Sequence, residues 1–249
     1  MLRLISGGAG KLSGRRAAGL LAAFLCLALS PCFSSCGGGQ KQTKEFDEIE
    51  GAGGAPVKRG VKPEPDAEAA VIDTDYGKIV VELYPNIAPK MVAQFKTLVS
   101  QHFYDGTAFH RASPQTGVIQ GGDPNTRGND TSKYGAGDSE LPNVPAEFSD
   151  IPFDRGIVGA ARQGAHPALG DVPELTESQA INTANCQFFI TLKRVPGWDG
   201  SYTAFGKVIE GINNAQIISQ APTLPRTEIL ADKVVIKSIT LQPRANFGH

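Results

Sequence analysis

The sequence predicts a mainly β domain, a closed antiparallel barrel capped by two α-helices. Three observations predict it. Val71-Ile72-Asp73-Thr74 and Lys78 to Leu83 are β-rich runs flanking Asp75-Tyr76-Gly77, a hairpin signal in which Gly77 offers a positive φ. Two segments with helical spacing lie far apart in the chain. A final run, Lys233 to Leu241, reads as a closing strand.

In chain order, the first element is a targeting segment. Arg3, Lys11, Arg15 and Arg16 precede the apolar run Ala17 to Leu29, which is too short for a mature span of about 20 residues but suits a secretory leader. Phe33-Ser34-Ser35-Cys36 and the Gly-Gly-Gly after it resemble a bacterial lipobox. Residues 1–35 are therefore expected to be removed, leaving Cys36 lipidated and the protein anchored in the bacterial cell envelope on the periplasmic side of a membrane. The alternative is an ordinary leader whose cleavage falls near a cysteine. Residues 36–68, rich in Gly, Pro and charge, read as the lipidated cysteine and a flexible tether, because they offer too little apolar surface to offset their ordering entropy.

Removing residues 1–35 takes four cations and no acid from totals of 24 Lys+Arg and 25 Asp+Glu, leaving 20 against 25. A mildly acidic chain without a basic stripe argues against a nucleic-acid partner. Cys26 and Cys32 leave with the leader and Cys36 takes the lipid, so Cys186 stands alone and no internal disulfide forms. Cys186 is expected to face away from Gln187 as a small buried residue. His102, His110, His166 and His249 share no ligand spacing, so no metal site is expected.

The remaining domain runs over 69–243, with a tail at 244–249. Met91, Val92, Phe95, Leu98 and Val99 repeat at helical spacing after Pro89, which predicts an amphipathic helix from Pro89 to Ser100. A shorter helix is expected over Gly211 to Gln220.

Polar chemistry concentrates in FHRASPQTGVIQGGDP, Phe109 to Pro124, and NTANCQFFITL, Asn182 to Leu192. Strand alternation puts Val118 with Gln120 on one face and Gln187 with Phe189 on one face, so the guanidinium of Arg111, two amides and apolar side chains could share a groove. With VPGWDGSYTAFGKVIEG, Val195 to Gly211, these motifs resemble the cyclophilin family of peptidyl-prolyl cis-trans isomerases over Ala69 to Pro243. The resemblance implies a cyclophilin-like barrel, proline-containing polypeptides as substrates, and no cofactor. It also implies that Ala161, Trp198 and Tyr202 line the site.

The chemistry follows from the imide bond. Its rotation barrier of about 18–20 kcal/mol reflects delocalisation of the nitrogen lone pair, which returns to nitrogen in the twisted state. A guanidinium placed to interact with the twisted imide stabilises that state selectively, which makes Arg111 the catalytic candidate. Phe189 and Val118 supply an apolar floor for the proline ring. Gln120 and Gln187 can bond the flanking backbone. Taken singly, Arg111 also fits a structural ion pair and Phe189 plain core packing. In this order and spacing the functional reading is the stronger.

Three departures from the family pattern stand out. Between Arg111 and Gln120 there is one extra residue, and Gln115, Thr116 and Gly117 stand where an aromatic is usual, which predicts a shallower pocket floor. Trp198 lies one place later than the tryptophan of cyclosporin-sensitive members, which argues against cyclosporin binding. Residues 163–181 form a long, partly acidic insertion that either borders the groove or lies on the surface. The expected protein is a monomeric isomerase acting on exported proteins. The alternative is a catalytically weak proline-peptide binding module or holdase.

Overall fold

The computed structural model describes residues 49–248. The expected leader and Cys36 lie outside the described residues, as does His249. The tether expected over 36–68 needs correction where it is described. Strands β1 (Ile49–Glu50) and β2 (Pro56–Lys58) pair with each other, and β2 pairs in parallel with β7 (Phe148–Ser149). Val57 is buried against Phe148 and Ile181, and Lys58 Nζ donates to the Ile87 carbonyl at 2.7 Å. Further along, Asp66 N donates to the Leu83 carbonyl at 2.8 Å. Composition hides this strap because backbone pairing and one buried valine order it, without an apolar run.

The barrel begins with β3 (Glu68–Thr74) and β4 (Gly77–Leu83), joined by the expected hairpin with Thr74 opposite Gly77. Gly77 has φ +103°, a conformation costly for any side chain. Helix α1 spans Pro89–Ser100 and buries Met91, Val92, Phe95, Leu98 and Val99, the face its periodicity predicts. Then come β5 (Ala108–Ser113), β6 (Val118–Asp123), β8 (Ile157–Ala160), the short α2 (Glu177–Ala180), β9 (Phe188–Thr191), β10 (Ala204–Glu210), α3 (Ile212–Ser219) and β11 (Ile229–Pro243). Eight strands close antiparallel in the order β10-β4-β3-β11-β5-β6-β9-β8. The closing strand is longer than the expected Lys233 to Leu241, and α2, inside the insertion, was not expected.

Inside the barrel Ile72, Ile79, Phe109, Ile119, Phe188, Ile190 and Phe205 form one core with α1. Phe95 of α1 reaches Phe188 edge-on at 5.9 Å and Phe205 at 5.4 Å between ring centres. Each such side chain contributes about 1.5–3 kcal/mol through burial, so the core seals the barrel on its own. That leaves the outer face of β5, β6, β9 and β8 to carry chemistry. The tail also packs: Arg244 Nη2 lies 3.1 Å from Glu82 Oε2, and Phe247 covers Ala69, Val71 and Val80.

Candidate active site

One row of residues crosses four strands on the outside of the barrel. Arg111 of β5 lies opposite Gln120 of β6, Gln120 opposite Phe189 of β9, and Phe189 opposite Gly159 of β8. Strict alternation would put Arg111 on the same face as Phe109, which belongs to the core. The pairing register slips between Phe109 and Arg111, a bulge at His110 that turns the guanidinium outward. Gly159 is required by Phe189, since a Cβ there would sit 2.2 Å from the ring.

A polar chain runs along the row. Arg111 Nε and Nη2 both donate to Glu228 Oε2, at 2.8 and 2.5 Å, and Nη1 donates to Gln120 Oε1 at 3.0 Å. Gln120 Nε2 donates to Gln187 Oε1 at 3.0 Å. Gln187 Nε2 in turn donates to the carbonyls of Gly135 and Gly137, at 3.1 and 2.8 Å. The glutamines, expected to bond the substrate backbone, hold each other and Arg111 here. Of the five N–H groups of a guanidinium, three are committed here and two are not.

The apolar wall stands beside this chain. Phe189 packs on Trp198 with ring centres 4.8 Å apart and on Tyr202 at 5.5 Å, and Trp198 meets Tyr202 at 4.8 Å. Val118 and Ala161 belong to the same cluster, and Gln120, paired with Phe189, joins Arg111 and Gln187 to it by hydrogen bonds, so all eight sequence-predicted residues stand in one connected patch. The one-place offset of Trp198 therefore does not remove it from the wall. Phe189 is only 3% exposed, covered by Trp198 and Tyr202. The hairpin Ser113 to Val118 is closed by Gly117 N donating to the Ser113 carbonyl at 2.6 Å.

Next to the wall is a cavity of about 290 Å³ lined by Gln120, Asp138, Ala161, Arg162, Asn185 and Gln187. Burial and the charge of Asp123 push the Asp138 carboxyl up. Arg162 lies over the Tyr202 ring at 4.8 Å and donates to Glu177 at 2.7 Å. The base of the insertion thus borders the groove through Glu177, while Leu169 and Val172 at its tip face solvent.

Cys186 is fully buried in the core, and burial, with the charge of Asp138, pushes its thiol up to about 12. It is a packing residue, as expected. The reading from sequence missed Glu228 and Arg162. Glu228 lies 117 residues from Arg111 with no local signal. Arg162 directly follows Ala161 and could have been read as its neighbour at the groove.

Residues 69–241 match the family described as cyclophilin type peptidyl-prolyl cis-trans isomerase/CLD. The chain belongs to the cyclophilin family. A probable peptidyl-prolyl cis-trans isomerase of Brucella suis is 38% identical over 166 residues, 65% of this chain and 76% of the relative. One of Schizosaccharomyces pombe is 35% identical over 173 residues, 68% of this chain and 97% of the relative. Among solved structures, a Cryptosporidium parvum cyclophilin superposes with a TM-score of 0.57 at 28% identity, covering 70% of this chain and 97% of its own. The same parasite protein has also been solved in the presence of the dipeptide Ala-Pro, with a TM-score of 0.56. As a cyclophilin, this chain is a peptidyl-prolyl cis-trans isomerase of a family that binds proline-containing peptides.

Proposed function

We propose that this isomerase rotates X–Pro bonds by non-covalent stabilisation of the twisted imide by Arg111, and that its clients are exported polypeptides met at a membrane surface. The observation that carries the catalytic part is the Arg111 guanidinium, fixed on two sides and set beside an aromatic wall with two N–H groups uncommitted. Arginine stays charged at any working pH and needs no proton transfer to act. Proline brings an apolar ring and no N–H, which suits the wall of Phe189, Trp198 and Tyr202. Lowering the barrier by about 4 kcal/mol accelerates rotation roughly a thousandfold. One charge-assisted hydrogen bond of about 1.5–3 kcal/mol with local desolvation is of that order.

The export part rests on the leader-like segment 1–35 and on Cys36. The thirteen steps of chain from Cys36 to Ile49 reach at most about 45 Å, which keeps a lipid-anchored domain near the membrane surface. There it acts on chains whose uncatalysed X–Pro exchange takes tens of seconds. Wild-type protein should partition into detergent, and Cys36→Ala should stay in the aqueous phase. A free, unmodified N-terminus beyond Cys36 in protein from the native host removes the anchor.

Exchange NMR on a short X–Pro peptide tests the catalytic part. Arg111→Ala is expected to keep its fold and bind peptide within a few-fold of wild type, while turnover falls about a hundredfold or more. Unchanged turnover in the folded variant leaves the groove as a proline-peptide binding site and removes Arg111 from the chemistry.

A further inference from the structure

Arg111 is held by a group that lies outside every motif of the groove. Glu228 sits just before β11, where its carbonyl accepts from Ala112 N at 2.8 Å, so the backbone fixes it beside β5. One carboxylate oxygen, Oε2, receives both Arg111 Nε and Nη2. The other, Oε1, receives the Ser113 hydroxyl. The Thr116 hydroxyl lies 3.0 Å from Ser113 Oγ, and the Thr116 amide donates to Ser113 Oγ at 3.3 Å. The hairpin Ser113 to Val118 therefore ends in a polar support for Glu228. With Gln120 on Nη1, the guanidinium is gripped from both sides.

We propose that Glu228, braced by Ser113 and Thr116 of the hairpin between β5 and β6, is a positioning residue that aims the Arg111 guanidinium at the X–Pro bond. This rests on the catalytic role of Arg111 proposed above. Both side chains of the pair are more than a third exposed, at 35% and 41%, so solvent screens the ion pair and its contribution to fold stability is small. Aim is a different matter. A long, half-exposed arginine loses rotamer freedom only when its fork is engaged, and a misplacement of about 1 Å in an active site can cost about a hundredfold in rate. Burial raises the Glu228 carboxyl, but the hydrogen bonds from Ser113 and Arg111 and the guanidinium charge outweigh it and hold the group below its ordinary range. The carboxylate is therefore ionised wherever the enzyme works near neutrality.

The rival role is attenuation, in which the carboxylate merely weakens the field of the guanidinium. Two substitutions in the mature chain separate them. Glu228→Ala removes acceptor and charge together. Glu228→Gln removes the charge but keeps an oxygen for Arg111, and its amide can donate to the Ser113 hydroxyl. Positioning predicts that Glu228→Ala loses about tenfold or more in turnover with peptide affinity nearly unchanged, and that Glu228→Gln recovers most of that loss. The Arg111 Nε–H resonance should be sharp and protected in wild type and in Glu228→Gln, and broadened in Glu228→Ala. Attenuation predicts faster turnover in both variants, an outcome that overturns the proposal.

The double variant Arg111→Ala/Glu228→Ala separates this inference from the one beneath it. If Glu228 acts through Arg111, its removal costs nothing further once Arg111 is gone. Loss of activity in Arg111→Ala with none in Glu228→Ala sinks the positioning role and spares the catalytic one. If Arg111→Ala alone leaves turnover intact, the catalytic role fails first and this inference fails with it.

Discussion

The two faces of the same four strands, β5, β6, β9 and β8, do opposite work. Inside, Phe109, Ile119, Phe188 and Ile190 interlock with α1 and are nearly inaccessible. Outside, the row of Arg111, Gln120, Phe189 and Gly159 joins a half-exposed cation to an aromatic wall. The inner face has one requirement, to fill space, which many apolar combinations meet. The outer face has a geometric one, so it spends backbone devices such as the bulge at His110 and the bare Cα of Gly159 on aiming side chains. Stability and chemistry should therefore be separable by substitution.

The largest expected effect is on the inner face. Phe188→Ala should cost about 3–5 kcal/mol and lower the melting temperature by roughly 10 °C, whereas Arg111→Ala should shift it by no more than a few degrees. Thermal melts that show equal losses break the division between the faces. On the outer face Gly159→Ala comes next. A Cβ 2.2 Å from the Phe189 ring forces that ring to move, with a loss of about 1–3 kcal/mol and weaker peptide binding. Denaturant titration with a peptide affinity measurement checks both, and unaltered affinity shows that the wall does not depend on this position.

The strap gives a smaller effect. Val57→Ala removes two buried methyl groups, at about 0.8 kcal/mol each, so a loss of about 1.5 kcal/mol is expected if residues 49–58 fold with the barrel. Equilibrium unfolding of the protein reads it directly, and no change assigns the strap to the tether. The smallest effect near neutrality belongs to Cys186. Its folded thiol is held at about 12 against an ordinary 9.0, so its contribution is fully present below pH 9 and is lost as pH rises toward 12. Below pH 9, labelling of the Cys186 thiol should proceed only at the rate of global unfolding. Rapid labelling of folded protein places Cys186 outside the core.

Most of the fold was legible where period and punctuation agree. The Asp75-Tyr76-Gly77 hairpin and α1 from Pro89 to Ser100 appear where their signals fall. The candidate site was legible as a set of residue types in order, and the fold brings all eight together. What escaped has a physical reason in each case. The bulge at His110 breaks the period-2 rule, which no window of alternation reveals. Glu228 meets Arg111 only through the pairing of β11 with β5, a contact between distant segments. The strap at 49–58 is ordered by pairing to β7 despite a composition that argues for disorder.

The central claim is that X–Pro peptides bind on the outer row and nowhere on the inner face. Amide and side-chain NMR shifts of the protein, titrated with an Ala-Pro-containing tetrapeptide, test it most directly. Because the chain has one tryptophan, the Trp198 indole N–H gives a single resonance that reports the wall without ambiguity. The account predicts saturable shifts at Arg111 Nε–H, at the Gln120 side-chain amide and at the Trp198 indole, with Phe109, Ile119 and Ile190 unmoved. Saturation that leaves Arg111 and Trp198 in place while shifts gather on another face of the barrel contradicts it.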